Sequence, residues 1–479
     1  MGTADNMIIG RHEERQRLNE CLQSPRSELV VVYGRRRIGK TFLIERHFNG
    51  QFDFWYTGAR GLNTQQQLRL FAKTLKSYSG VRSYKFSDWL DAFDALEDYL
   101  ETLPKDKKKL IFIDEMPWMD TGRSNFVIAL ENFWNGWAMY KHHVMLIATG
   151  SSTSWMTDKL ITNRGGLYAR ITYQLHLDAF NLAEAEEYVK ALNMPWDRYQ
   201  IMQSYMVLGG VPYYYSILDP KLSVAQNIDR LFFRKDGKLR LEFDELYHAL
   251  FPMADIYIEV VKVLSQHPKG LTFREISKAV GQEGTFLTRV LKNLERCDFI
   301  EKWPHFKNKK QTEIYRMTDN YTLFYYKFID GNDFKNENWW TENLSSHSVG
   351  AWQGNSFEIV CMRHYRQIKK ALGIAGVATE ISTWKSLPTQ VYPNGGQVDL
   401  VIERADRIIH LCEMKFSTGK YNISKDYEDK LRNRLGLFKS KTRTTKAVVH
   451  TFVTTFGLGE GKHHSIVHSE VTMDDLFNS

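Results

Sequence analysis

LVVVYGRRRIGKT, from Leu29 to Thr41, decides the fold of the first part of this 479-residue chain. Five residues of buried-strand composition lead directly into GRRRIGKT, which fits G-x-x-x-x-G-K-[ST] in the strand–loop–helix setting that a phosphate-binding loop requires. Gly34 and Gly39 let backbone N–H groups wrap phosphate oxygens, and the following helix turns its positive N-terminal end toward them. Arg35, Arg36, Arg37, Ile38 and Phe42 complete the lining. Lys40 is expected to reach the β- and γ-phosphate oxygens and Thr41 to ligate Mg2+, so the chain should handle a nucleoside triphosphate.

A second strand-like run, KKKLIFIDE at 107–115, ends in two carboxylates. Asp114 would hold the magnesium through water, and Glu115 would position or deprotonate the water that attacks the γ-phosphate. A third run, HHVMLIATGSS at 142–152, ends in Thr149, Ser151 and Ser152, whose hydroxyls either sense the γ-phosphate or close an ordinary strand-end turn. FDFWYT and ITYQLHL read as further strands, with helical spacing at Gln66–Tyr78 and Asp88–Leu100 between. Such alternation predicts a mostly parallel sheet, helices on both faces, and a ligand at the carboxyl ends of the strands.

IIGRHEERQRL at 8–18, GGLYAR at 165–170 and LGGVPYYY at 208–215 extend the pattern. Together with GRRRIGKT and LIFIDE they resemble an AAA-related P-loop ATPase of the archaeal type, a group close to the signal-transducing STAND ATPases. The resemblance spans about residues 7–250. It implies ATP as ligand, Ile9, Gly10 and Arg11 beside the adenine, and a helical lid that brings Gly210, Val211 and Pro212 near the nucleotide. Charge developing on the γ-phosphate calls for an arginine, in cis or from a neighbouring subunit, so a homo-oligomer is allowed for; Arg170 is the first choice and Arg164 the second.

Composition sets the outer limits. The length exceeds what one hydrophobic core supports, and the net charge of +8 permits an anionic partner such as DNA or RNA. Four cysteines without paired spacing point to a reducing cytoplasm, and no apolar run reaches the roughly 18 residues of a membrane span. The expected architecture is a multidomain α/β chain: a P-loop NTPase core (1–180), a helical lid (181–250), a winged helix (251–330) and a C-terminal α/β restriction-endonuclease-like domain (331–479).

The winged helix rests on three helical patterns, DIYIEVVKVLSQ, FREISKAV and TFLTRVLKNLERCDFI, followed by a ribbon FIEKWPHF–KNKKQT–EIYRMTD. Arg289, Lys292 and Arg296 on the third helix, with Lys307, Lys309 and Lys310 in the wing, suit a DNA backbone, a solvated face equally well. The last domain opens with GNSFEIVCMRHY, a helix carrying Glu358, and continues as GGQVDLVIERADRIIHLCEMKFS, two strands around a turn at Ala405–Arg407. A hairpin centred on Asp406 sets Asp399 opposite Glu413, with Lys415 on the same face. Acids so gathered call for a cation: Asp399, Glu413 and Glu358 would bind Mg2+, or Mn2+, and Lys415 would orient water or stabilise a phosphorane-like transition state. This set resembles the PD-(D/E)XK nuclease superfamily, although Val398 stands where the motif has proline. That resemblance implies metal-dependent cleavage of nucleic acid. The expected whole is an ATPase that regulates a nucleic-acid phosphodiesterase, with a nucleotide-switched scaffold and a winged-helix DNA-binding regulator as rivals.

Overall fold

Alternate residues of one buried strand must face opposite sides, and this dictates the layering around β1 (Glu28–Tyr33). Leu29 and Val31 join one hydrophobic core, while Val30 and Val32 join another. The same alternation runs through β3 (Lys109–Asp114), where Ile111 and Ile113 go one way and Leu110 and Phe112 the other, and through β4 (Val144–Gly150). With β2 (Phe54–Thr57) and β5 (Tyr173–His176) these form a five-stranded parallel sheet, ordered β2-β3-β4-β1-β5. The computed structural model describes residues 7–162, 165–167, 169–307 and 313–478.

Helices close both faces of this sheet. Near one face lie α1 (His12–Gln23) and α2 (Lys40–His47), which contribute Leu18, Leu43 and Ile44. Toward the other lie α3 (Thr64–Ser79) and α4 (Trp89–Glu101), bringing Phe71, Trp89 and Phe93 into an aromatic cluster. An Asn63/Gln66 capping box fixes the start of α3 by satisfying end N–H groups reciprocally.

Contacts divide the chain into two units: 1–179 with 250–252, and 180–249 with 253–479. The second begins with α5 (Leu182–Ala191), whose start is fixed by an Asn181/Glu184 capping box, and α6 (Arg198–Leu208). It continues with α7 (Ala254–Ser265), β6 (Leu271–Thr272), α8 (Phe273–Val280), α9 (Gly284–Arg296), β7 (Ile300–Trp303) and β8 (Ile314–Met317). These strands form a small antiparallel sheet ordered β6-β8-β7. Lys309 and Lys310 lie outside the described residues.

A separate mixed sheet ends the chain. It comprises β9 (Thr379–Ser386), β10 (Gly396–Arg404), β11 (Ile408–Lys415), β12 (Ala447–Thr454) and β13 (Val467–Thr472), in the order β13-β12-β11-β10-β9. The first three are antiparallel and the last three parallel. Helices α10 (His347–Arg363) and α11 (Lys425–Thr442) pack on this sheet. Beyond β7 the chain attaches to it: Phe306 N–H donates to the Thr383 carbonyl at 2.8 Å, and Thr383 N–H to the Pro304 carbonyl at 2.9 Å. The Phe306 ring then joins Trp384, Leu411 and Phe438 in the core beneath β9–β11. The ribbon therefore serves as an edge partner for β9, a role the apolar FIEKWPHF run did not reveal.

Candidate nucleotide site and acid cluster

The three polar strand ends meet at one edge of the parallel sheet because the register aligns them. Val32 and Tyr33 of β1 pair with Thr149 and Gly150, and Ile113 pairs with Ala148, which leaves Asp114 beside Thr149. The loop after β1 then folds back tightly. Gly34 has φ +141, and a Cβ there would stand 2.5 Å from the Leu177 carbonyl oxygen, so glycine is required. Gly39, at φ +83, caps α2. Ile38 is buried, Phe42 lies at the surface under the Arg46 guanidinium, and Arg37 holds a positive φ of 74.

Lys40 is buried and donates to the carbonyls of Gly34 at 3.0 Å and Arg35 at 2.9 Å. The Thr41 hydroxyl donates to Asp114 Oδ2 at 2.9 Å, and the Thr149 hydroxyl donates to Oδ1 of the same carboxylate. Burial pushes the Asp114 carboxyl above its ordinary range, against the Thr149 and Thr41 hydroxyls. A desolvated carboxylate touching a threonine hydroxyl is a hard-oxygen pair that suits Mg2+. Glu115 has φ 53, and its Oε2 accepts from Ser151 N–H at 2.9 Å and from the Ser151 hydroxyl at 2.8 Å. Ser151 thus grips Glu115.

Gly10 and Arg11 both take positive φ just before α1, Ile9 is buried, and Arg11 donates to the Asp178 carbonyl at 2.6 Å. Arg36 lies in the turn of the phosphate loop. Arg170, just ahead of the ITYQLHL run, occupies an exposed turn before β5; its N–H bonds the Leu167 carbonyl at 3.0 Å. Arg164 lies outside the described residues. Pro212 belongs to the second unit, where it opens a short helix (Pro212–Ser216) beside Gly210, which is pressed against the Phe180 carbonyl.

The acid cluster is assembled within the second unit. In the β10–β11 hairpin Glu403 faces Ile409 and Leu400 faces Cys412, the register of a turn centred on Asp406; regular pairing stops one residue short of Asp399. There β10 slips against β9 between Val398 and Val401, a bulge of the kind that re-aims one side chain. The freed Asp399 meets Glu358 of α10 through a shared cation. Lys269 Nζ donates to Glu358 Oε2 at 2.5 Å and to Asp399 Oδ2 at 2.9 Å. Arg316 of β8 donates to Asp399 Oδ1 at 2.8 Å, and Gln397 to the same oxygen at 3.0 Å.

Glu413 and Lys415 project from β11 toward α11. There Tyr427 OH donates to Glu413 Oε2 at 2.6 Å, Arg434 pairs with Oε1, and Lys415 Nζ stands 4.9 Å over the Tyr427 ring. Burial, then the neighbouring Asp399, pushes the Glu358 carboxyl up. Against burial, Arg316 and Lys269 hold Asp399 down at about 2. Burial lowers the Lys415 ammonium, although Glu358 draws it the other way. Carboxylate oxygens from Glu358 and Asp399 closing on one ammonium make a place suited to a cation, whereas Glu413, expected as a third ligand, is held apart from them by Tyr427 and Arg434, so the three acids do not form one ligand cluster.

Sequence reading missed Lys269, Arg316, Tyr427 and Arg434. Tyr427 and Arg434 stand seven apart on one helix, a spacing that puts them on a single face and was a usable signal. HPKGL around Lys269 carries none.

Residues 9–217 match the family of ATPase domains found predominantly in Archaea. That stretch, which holds the phosphate loop and the short helix at Pro212, is similar to ATPase domains of this family. An uncharacterized protein of Methanocaldococcus jannaschii is 29% identical over 331 residues, covering 68% of this chain and 70% of its own. Among solved structures, a Walker-type ATPase of Pyrococcus abyssi matches with a TM-score of 0.48 and 18% identity, over 67% of this chain and 96% of that one. The ORC2 protein of Aeropyrum pernix, in ADPNP and ADP complexes, matches at 0.42 and 14%, over 67% and 94%. Among the described residues no helix is long and apolar enough to cross a membrane.

Proposed function

We propose that this protein binds and hydrolyses ATP at the Gly34–Thr41 loop and that nucleotide state controls a metal-dependent phosphodiesterase acting on DNA or RNA. The observation that carries the second half is the convergence of Glu358 and Asp399 on one ammonium, within electrostatic reach of Lys415.

At the ATP site Lys40 would turn from the loop carbonyls to the β- and γ-phosphates, and Arg170 or a neighbouring subunit would supply the arginine. Mg2+ held by Thr41 and Asp114 would neutralise phosphate charge. Glu115 must leave Ser151 to hold the attacking water, so the Ser151 grip would restrain hydrolysis until Glu115 is released. Glu115→Gln is expected to keep ATP binding and slow hydrolysis by about a hundredfold. Fluorescent-nucleotide titration and single-turnover phosphate release read the two effects separately; equal loss of binding and turnover would contradict the role.

At the acid cluster Glu358 and Asp399 would hold Mg2+ or Mn2+, which polarises the scissile phosphate. Lys415 would orient water there, and Tyr427 and Arg434 hold Glu413 in place. We read α7–α9 with β6–β8 as the winged helix, whose exposed Arg289 and Lys292 suit a phosphate backbone. The +8 net charge supports an anionic partner.

One observation favours the scaffold reading: the carboxylates are already paired with Lys269, Arg316 and Arg434. Supercoiled plasmid and single-stranded RNA, incubated with Mn2+ in ATP, ADP or no nucleotide, separate the two. Cleavage that disappears in Lys415→Ala and changes with nucleotide supports the phosphodiesterase. Intact substrates in every nucleotide state leave the scaffold.

A further inference from the structure

We propose that Lys269 is a built-in cation lock, which fills the place between Glu358 and Asp399 that a divalent metal takes and must swing out before the metal enters. The inference rests on the reading of the acid cluster as a metal site and adds a control that comes from outside the mixed sheet.

Lys269 belongs to the turn between α7 and β6, whereas both acids belong to elements of the last 140 or so residues, 89 and 130 positions away. That turn is fixed. Gly270 N–H donates to the His267 carbonyl at 2.8 Å, and the Arg316 guanidinium donates to the Pro268 carbonyl at 3.3 Å. Gly270, at φ +79, lies so close to β8 that a Cβ would stand 2.4 Å from Ile314 Cγ2 and 2.6 Å from Arg316 Cγ. Turn and strand thus present Lys269 and Arg316 as a pair.

The two cations differ in a way that assigns their roles. The Arg316 side chain is 4% exposed and bonds Oδ1 of Asp399, the oxygen that Lys269 does not take, so it is a permanent neighbour. The Lys269 side chain is 41% exposed, and its ammonium bridges the two carboxylates. A long flexible stem ending in three donors can leave for water, which a buried guanidinium cannot do at small cost. Two acids held together need a cation at all times; the lysine supplies one while no metal is present. Metal entry then means exchange of one cation for another, and anything that shifts the α7–β6 turn shifts that exchange.

Mn2+ binding to the full chain without nucleotide tests this, with free Mn2+ read by its paramagnetic resonance signal. Lys269→Met is expected to bind one Mn2+ at least about tenfold more tightly than the parent. Asp399→Asn in the same chain should remove that site, and Mn2+ should raise the melting temperature of Lys269→Met more than that of the parent. Lys269→Arg retains a cation and should bind no more tightly than the parent; affinity equal to Lys269→Met would trace the gain to loosened packing and overturn the lock. An Asp399-dependent site of unchanged affinity in Lys269→Met also overturns it, while leaving the metal reading intact. Absence of any Asp399-dependent Mn2+ in all chains overturns both.

Discussion

Lys40→Ala is expected to slow ATP turnover by about a thousandfold, the upper range for removing one preorganised charge from a phosphate-transfer site. The ammonium is buried, and its contacts are the carbonyls of Gly34 and Arg35 at 3.0 and 2.9 Å. Those carbonyls belong to the loop that must wrap the phosphates, so Lys40 braces the loop and, by turning from them, would face the ligand. Alanine removes both actions. The loop keeps its shape through Gly34, which is wedged against Leu177, so the variant should fold while nucleotide affinity falls with turnover. Phosphate release and nucleotide titration check this, and a variant with parental affinity would show that the loop does not hold the triphosphate.

Gly270→Ala is expected to destabilise the β6–β8 sheet by about 3 kcal/mol, from a positive φ combined with overlap against a strand. The new Cβ would meet Ile314 Cγ2 at 2.4 Å and the Tyr315 carbonyl oxygen at 2.8 Å, and neither belongs to a flexible side-chain end. Gly281 supplies the control. It has φ +64 but open space within 4 Å, so Gly281→Ala should lose only about 1 kcal/mol. Because the chain has more than one unit, a single unfolding free energy is not defined, and amide exchange at Tyr315 and Arg316 is the better measure. Exchange there should accelerate roughly a hundredfold in Gly270→Ala. Equal effects at the two glycines would deny the close approach of turn and strand.

What was legible in the sequence was local or symmetrical. The phosphate loop sits within eight consecutive residues, and its partners Asp114 and Thr149 end strands whose apolar runs announce them. The hairpin at Asp406 could be centred because its two strands read as mirror images, and Asn181 with Glu184 forms a cap over three residues. Pairings across long separations left no trace. Lys269 and Arg316 meet acids 130 and 83 residues further on, and nothing in HPKGL or IYRM distinguishes them from solvated charges. The bulge at Asp399 was hidden for a related reason, since it depends on how β9 slips along β10 and not on the hairpin alone. The ITYQLHL run suggests a longer strand than the four residues that pair with β1.

The addition of Pro304–Phe306 to the outer edge of β9 has a practical meaning for dissection of the chain. Cutting between 330 and 331, where composition changes, would strip β9 of its bonded neighbour and take the Phe306 ring out of the core of the mixed sheet. It would also remove Lys269 and Arg316 from their carboxylates. Such a fragment would present a bare strand edge beside an apolar hollow, the combination that recruits other chains into aggregates. The three-helix module and the mixed sheet belong to one unit, and the module travels with the sheet as its missing strand.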